Sequence, residues 1–528
     1  MKPIEVENIS NSSQEEPGLL RASGLSRSSF FLVCLGAVFF LYLRRFLING
    51  APLVVTGDES LFWGRAVHVL HGQMIYRDFF ELVSPGTDLL DAAVFRVFGI
   101  HAWVIQAVAM AFGMAMFAVM TWIAGKILRG PLVLLPGVLF LVFDFSNAHD
   151  MTHHWYSTLA VLCAVGFLME GTKIKQVLWA SLFCALAVLF TQTQGMLVFF
   201  VLLIYLIRHA RSGEEQESLT VQLAAFTVPF AVVLACVFGY YIRHAGFSKV
   251  FFDLVVFPVR YLTGEVNSPR TYLHQIPGVH SGSDAFRVFP YLLIYAIVPY
   301  VYLFGWLRLW TAGRELPVRM RQRLVLLHLA GGALLLAVVT GPRFFRLCTV
   351  APPAILVLVW LLREPTRARK IARNFLAVAA AVFALVLSLH RLTQWHGVLN
   401  LPIGRTAFVE RTEFDEFRWV AERTKPGDVF FNRTSLSLYL SLSTPVAAEF
   451  IDDSDFTRPD QVDAILNWLK QNPARFIVMR PKISSSLDDN HSELFRQFVK
   501  ENYHVVQMFP LPEGTVADEM WEGNEPIR

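Results

Sequence analysis

Apolar residues run in blocks of spanning length from about Phe30 to about Leu389, and polar residues are confined to the joints between them. The blocks fall at 29–49, 102–125, 131–146, 155–171, 176–191, 194–209, 221–243, 288–309, 323–340, 344–362 and 372–390. A hydrocarbon core of about 30 Å takes roughly 20 apolar residues as a helix, so the pattern predicts about eleven spans, several of them short. The first long joint, 50–101, holds a helical pattern from Glu59 to His71 and an apolar helix from Leu89 to Phe98. That second helix has about 10 residues, too few to span, and is expected to lie along the interface. Another long joint, 245–287, is rich in Pro, Gly, Tyr and His and reads as a substrate-facing or lid loop.

From about Leu392 the pattern changes. "TEFDEFRWVAERTKPGDVFFNR" reads as an amphipathic helix, a turn at Pro426-Gly427 and a strand. "PDQVDAILNWLKQNPARFIVMRP" and "SELFRQFVKENYHVVQMFP" each repeat helix then strand. This alternation predicts a small α/β domain. The organisation expected is a tail (1–28), a membrane module (29–391) and an α/β domain (392–528). In that domain Asn432-Arg433-Thr434 fits an N-x-[ST] acceptor and equally fits a strand-edge turn.

Charge assigns sides to the membrane. Lys126 and Arg129, Lys173 and Lys175, Arg208 and Arg211, Arg308 to Arg323, and Arg363 to Arg373 make every second joint basic. The positive-inside rule places these joints in the cytoplasm. Asp58, Glu59, Asp78, Glu81, Asp144, Asp150, Glu265 and Asp284 then fall at the outer joints. An odd number of spans puts the N-terminus inside and the α/β domain outside, in an inner-membrane, multi-pass chain. Arg44 and Arg45 dissent, lying near the outer end of the first span, where they would snorkel to the interface.

Composition agrees: the chain is 54% hydrophobic, with a mean hydropathy of +0.46. The five cysteines all lie in apolar stretches, which gives no disulfide framework and no metal spacing. The polar tail ahead of the first long apolar run is no cleavable signal peptide. Nothing in the pattern points to nucleic acid.

The candidate chemistry begins at "VVTGDESLFWGRAVHVLHG", where Asp58 and Glu59 follow the first span. Two acids in a first helical turn suit the positive end of the helix dipole. The further acids Asp78 and Glu81 in the same joint point beyond capping, to a shared cavity. A carboxylate there takes a proton from an attacking hydroxyl, or ligates a divalent cation through oxygen.

The stretch from Gly57 to Gly99 resembles the first outer loop of the GT-C membrane glycosyltransferases. It is most similar to lipopolysaccharide-core galacturonosyltransferase-like and dolichyl-phosphate-mannose-protein mannosyltransferase-like members. The resemblance rests on Asp58-Glu59, Leu70 to Gly72, Tyr76 to Phe80, Pro85 and Phe98-Gly99. It implies inverting sugar transfer from a polyprenyl-phosphate-linked donor to a glycan, lipid or protein acceptor at the outer face of the bilayer. It implies Asp58 as base or metal organiser, with Glu59 beside it and Asp78 and Glu81 supporting the acceptor site. "LVSPG" departs from the family in having Ser84 and a single Pro.

A donor phosphate calls for cationic groups at the membrane surface. "TGPRFFRLCTVAPP" offers Arg343 and Arg346, which read either as phosphate ligands or as interfacial arginines. "TQTQG" offers Gln192 and Gln194, where family members frequently carry Lys, so any contact there is a neutral hydrogen bond or simply a polar turn. "DFSNAHDMTHHWYS" sets His149, Asp150, His153 and His154 together, with no fourth metal ligand evident; His153 and His154 are kept as site-lining residues. The leading reading is therefore a lipid-linked-sugar glycosyltransferase, a hexosyl- or pentosyltransferase, with a divalent cation as an option. A polysaccharide polymerase or ligase is the alternative. A secondary transporter fits less, because the spans hold few charges and no internal repeat is evident.

Overall fold

The computed structural model describes residues 24, 26–147, 150–210, 217–261, 282–431, 434–444, 459–479, 491–510 and 517–524. Most of the tail 1–28, His149, the centre of the 245–287 joint and Asn432-Arg433 lie outside the described residues.

Each of the eleven apolar blocks is helical. Seven helices are long and apolar enough to cross a membrane: Arg27–Arg45, Ala102–Ile127, Gln192–His209, Leu219–Ala245, Val288–Thr311, Val318–Val338 and Arg367–Thr393. Phe344–Val350 and Pro352–Leu361, bent by 63° from one another, form an eighth if taken as one span. Pro352 and Pro353 explain the break, since proline has no N–H to give the preceding turn yet starts a helix well. Leu135–Phe145 and Ile174–Phe190 are apolar but shorter, and His153–Glu170 packs between its neighbours with most of its residues buried.

The basic joints gather at one end of the bundle. Arg323 donates to the carbonyls of Met169 and Lys126, Arg319 donates to that of Glu170, and Lys126 pairs with Glu170 at 3.2 Å. The first long joint lies at the opposite end. Its two helices are Gly57–Leu70 and Gly86–Phe98, and the second is 13 residues long with Asp88, Asp91, Ala92 and Phe95 buried. Gly86 lets that helix abut the bundle, because a Cβ there would stand 2.4 Å from the Leu189 carbonyl oxygen.

The C-terminal part opens with an antiparallel hairpin, β1 (Gly397–Leu401) and β2 (Gly404–Phe408). A four-stranded sheet follows, from β3 (Phe430–Phe431), β4 (Phe476–Met479), β5 (Tyr503–Pro510) and β6 (Ala517–Gly523), in the order β3-β4-β6-β5. The helices Arg411–Ala421, Pro459–Gln471 and His491–Asn502 precede β3, β4 and β5, as the three helix-strand repeats require. β3 and β4 are parallel, and β6 runs antiparallel between β4 and β5. The hairpin, β6 and the helix Thr434–Leu440 had no clear signal in the pattern.

This part is built onto the first long joint. The Val54 N–H donates to the Ala407 carbonyl at 2.9 Å, and the Ala407 N–H returns a bond to Pro52 at 2.8 Å. The Val55 N–H donates to the Tyr439 hydroxyl at 2.9 Å. Trp63, Ala66, Phe95 and Ile105 share one core with Phe417, Tyr439, Phe476 and Met520. Burial of that many large apolar groups, at about 25 cal/mol per Å², fixes the joint against the sheet.

Candidate active site

The site starts at Gly57, whose φ of +68° lies in the left-handed region that glycine enters without a Cβ penalty. This turn starts the Gly57–Leu70 helix with Asp58 and Glu59 in its first turn. The two acids then part. Glu59 turns inward, 1% exposed, 3.5 Å from Arg45 and accepting from the Met151 N–H at 3.2 Å. Asp58 turns outward and is exposed to solvent.

Asp150 completes an acidic trio. It accepts the Glu59 N–H at 2.7 Å, so the loop before the His153–Glu170 helix is clamped to the first-loop helix. Burial, followed by the charges of Glu59 and Asp58, pushes Asp150 up to about 8, so it is largely protonated at neutral pH. Burial also pushes Asp58 above the usual carboxylate range, while Arg65, Arg346 and Arg343 pull it back. These three arginines therefore lie close enough to Asp58 to act on its charge.

Arg65 comes from the same helix, seven residues on and hence on the same face. It pairs with Glu81, the two side chains being 2% and 0% exposed. Glu81 also accepts the Val83 N–H at 2.9 Å. It reaches the site through Arg65 rather than directly. Asp88 and Asp91, on the Gly86–Phe98 helix, are fully buried and raised well above the ordinary range, chiefly by burial.

Arg343 and Arg346 belong to the Phe344–Val350 helix and its N-cap. Arg343 is its N-cap residue, and its Nε is buried with no hydrogen-bond partner among the described residues. Arg346 donates to the Gly341 carbonyl at 3.4 Å and lies over the Phe345 ring at 5.8 Å. His153 and His154 open the His153–Glu170 helix, just after Asp150. Their ring centroids are 4.0 Å apart, with Phe62 at 5.5 Å from His153 and Phe345 at 6.4 Å from His154. The Arg346 charge bears on both histidines.

The structure thus brings Asp58, Glu59, His153, His154, Arg343 and Arg346 to one end of the bundle, with Glu81 behind Arg65. It does not bring Asp78 there: Asp78 pairs with Arg77 at 2.7 Å, accepts the Met74 N–H at 2.7 Å and is pulled down to about 2, first by Arg77. Gln192 is engaged as a strut, donating to the Leu82 and Leu254 carbonyls and accepting from Ser84. Gln194 is 0% exposed, with neither amide atom partnered among the described residues. Among the described residues no three His, Cys, Asp or Glu side chains group to hold a metal ion, so the divalent-cation option finds no ligand set there.

Two residues had to be found in the structure. Arg65 carried a signal, its spacing of seven from Asp58. Asp150 was visible as an outer-joint acid within a histidine-rich stretch, but its bond to the Glu59 backbone comes from tertiary folding.

No protein-family model and no curated protein matches the chain. Solved structures do. ArnT from Cupriavidus metallidurans bound to undecaprenyl phosphate matches with a TM-score of 0.60 at 14% identity, over 94% of this chain and 98% of that one. The Archaeoglobus fulgidus oligosaccharyltransferase in its apo form matches with a TM-score of 0.51 at 11% identity, over 93% of this chain and 74% of that one. At such identities the likeness speaks for the fold alone, and the fold of this chain is that of the GT-C membrane glycosyltransferases.

Proposed function

We propose that the chain is a glycosyltransferase that moves a sugar from a polyprenyl-phosphate-linked donor to an acceptor hydroxyl on the outer face of the membrane. The observation that carries this is a single one: Asp58 is exposed to solvent, its carboxyl is raised by burial, and the charges of Arg346 and Arg343 act on it. Asp58 takes the proton of the acceptor hydroxyl as that oxygen attacks the anomeric carbon. The bond from the anomeric carbon to the phosphate oxygen breaks with inversion. The departing lipid phosphate keeps the electron pair, and its charge is held by the two guanidinium forks. Phosphate leaves without help from a general acid, so the site needs one base and a cationic cradle. No step passes through a metal.

Glu59, Arg45 and neutral Asp150 fix the helix turn that aims Asp58. His153 and His154, on which the Arg346 charge acts, line the site in this reading. The undecaprenyl phosphate in the Cupriavidus ArnT structure supports a polyprenyl-phosphate donor here. The alternation of basic joints supports the outer face.

The test is transfer by the purified full chain in proteoliposomes. It is offered either polyprenyl-phosphate-linked sugars or the corresponding nucleotide sugars, with envelope glycolipid as acceptor. Transfer from the lipid-linked donor alone is expected. Direct use of a nucleotide sugar would refute the donor assignment.

A further inference from the structure

The first and last spans, Arg27–Arg45 and Arg367–Thr393, end side by side beneath the C-terminal part, and each carries an arginine in its last turn. Arg44 donates through Nη2 to the Ser146 carbonyl at 3.0 Å. Among the described residues its buried Nε has no partner, and neither have the buried Nε and Nη1 of Arg391. Among the described residues no carboxylate pairs with either arginine. Arg45, next in sequence, is answered by Glu59 at 3.5 Å. Arg44 instead feels the like charges of Arg391 and Arg45.

Two half-buried guanidinium groups set together without an anion are costly. The carbonyl ends of the two helices offset part of the charge. They supply no acceptor for the free edge of either fork. Nη1 of Arg44 and Nη2 of Arg391 are not among the buried nitrogens and reach the surface.

We propose that these two helix ends together bind the phosphate of an anionic membrane lipid. The chemistry fits at three points. Paired arginine forks meet phosphate oxygens bidentately. The ends of spanning helices lie at headgroup depth. Phe31, Leu35 and Phe39 on the first span and Phe375, Val382 and Leu389 on the last are exposed along the same helices, an apolar track for the lipid chains. The helix ends also connect to both segments around Asp58. Arg45, next to Arg44, holds Glu59, and Ser146, bonded to Arg44, stands four residues before Asp150. A lipid phosphate there neutralises Arg44 and steadies the two segments that aim Asp58. The reading requires no assignment of sugar or acceptor.

Native mass spectrometry of the full chain in detergent tests this, with added phosphatidylglycerol, phosphatidylcholine or polyprenyl monophosphate as probe. The wild type is expected to retain phosphatidylglycerol well above phosphatidylcholine. Arg44→Gln with Arg391→Gln weakens that retention about tenfold or more, while Arg44→Lys with Arg391→Lys keeps a measurable preference. Competition by polyprenyl monophosphate identifies the lipid carrier as occupant, and its absence identifies bulk phospholipid. Equal retention of the two phospholipids by the wild type, or unchanged retention of phosphatidylglycerol by the glutamine variant, overturns the proposal.

Discussion

Asp58 and Glu59 are neighbours in sequence and opposites in environment. Glu59 is sealed against Arg45, while Asp58 reaches solvent under the influence of three arginines. The raised carboxyl of Asp58 sets the acid limb of the reaction. The kcat/KM of transfer should fall as pH drops, with its midpoint above the ordinary aspartate value of about 4, as a pH-rate profile would read. A limb at the ordinary value would detach Asp58 from the chemistry. Asp150 makes a separate prediction. Its value in the folded chain, about 8, is raised, so its contribution to stability is fully present below about 4 and is lost as pH rises through about 8. Asp150→Asn does not titrate, and its thermal midpoint should drop less between pH 5 and pH 9 than that of the wild type. The two acids were legible because they stand side by side after the first span, and the two arginines in "TGPRFFRLC" because basic residues are otherwise scarce in the outer joints. The partition of roles between the two acids was not, since it depends on which of them Arg45 reaches across the fold.

At the scale of elements, the first-loop helix is held by what its buried face carries. Arg65 and Glu81 form an ion pair at 2% and 0% exposure, with buried Asp88 beside it, its carboxyl raised chiefly by burial. Removing one partner leaves a buried charge, which costs about 3–5 kcal/mol. Arg65→Leu should therefore lower the thermal midpoint sharply, and Arg65→Leu with Glu81→Leu should recover much of the loss. Equal destabilisation of single and double variants would mean that the pair is not what anchors the loop. Helices of this kind were legible from their apolar blocks, and the short second helix was placed correctly within three residues of its start. The role of Gln192 was not legible: its spacing suggested a ligand, and its amide instead ties Leu82 and Ser84 to Leu254. A polar turn and a strut look alike until the segments it joins are known.

At the scale of the molecule, the membrane module and the C-terminal part share a core that includes Trp63, Phe95, Phe417 and Tyr439. Deleting residues 397–528 would expose that face of the first loop. Limited proteolysis is expected to cleave within residues 50–101 of the truncated chain far faster than in the full chain, and transfer should be lost with it. The three helix-strand repeats announced this part, but β6, which enters the sheet against their direction, followed a stretch without a clear period. The account's central claim is a division of labour, with Asp58 for proton transfer and Arg343 and Arg346 for phosphate. It is tested most directly by measuring polyprenyl-phosphate binding and sugar transfer together in variants of the full chain. Asp58→Asn should bind the lipid phosphate nearly as the wild type does and transfer about 10²- to 10⁴-fold more slowly, while Arg343→Gln with Arg346→Gln loses binding. Transfer by Asp58→Asn at the wild-type rate would contradict the account.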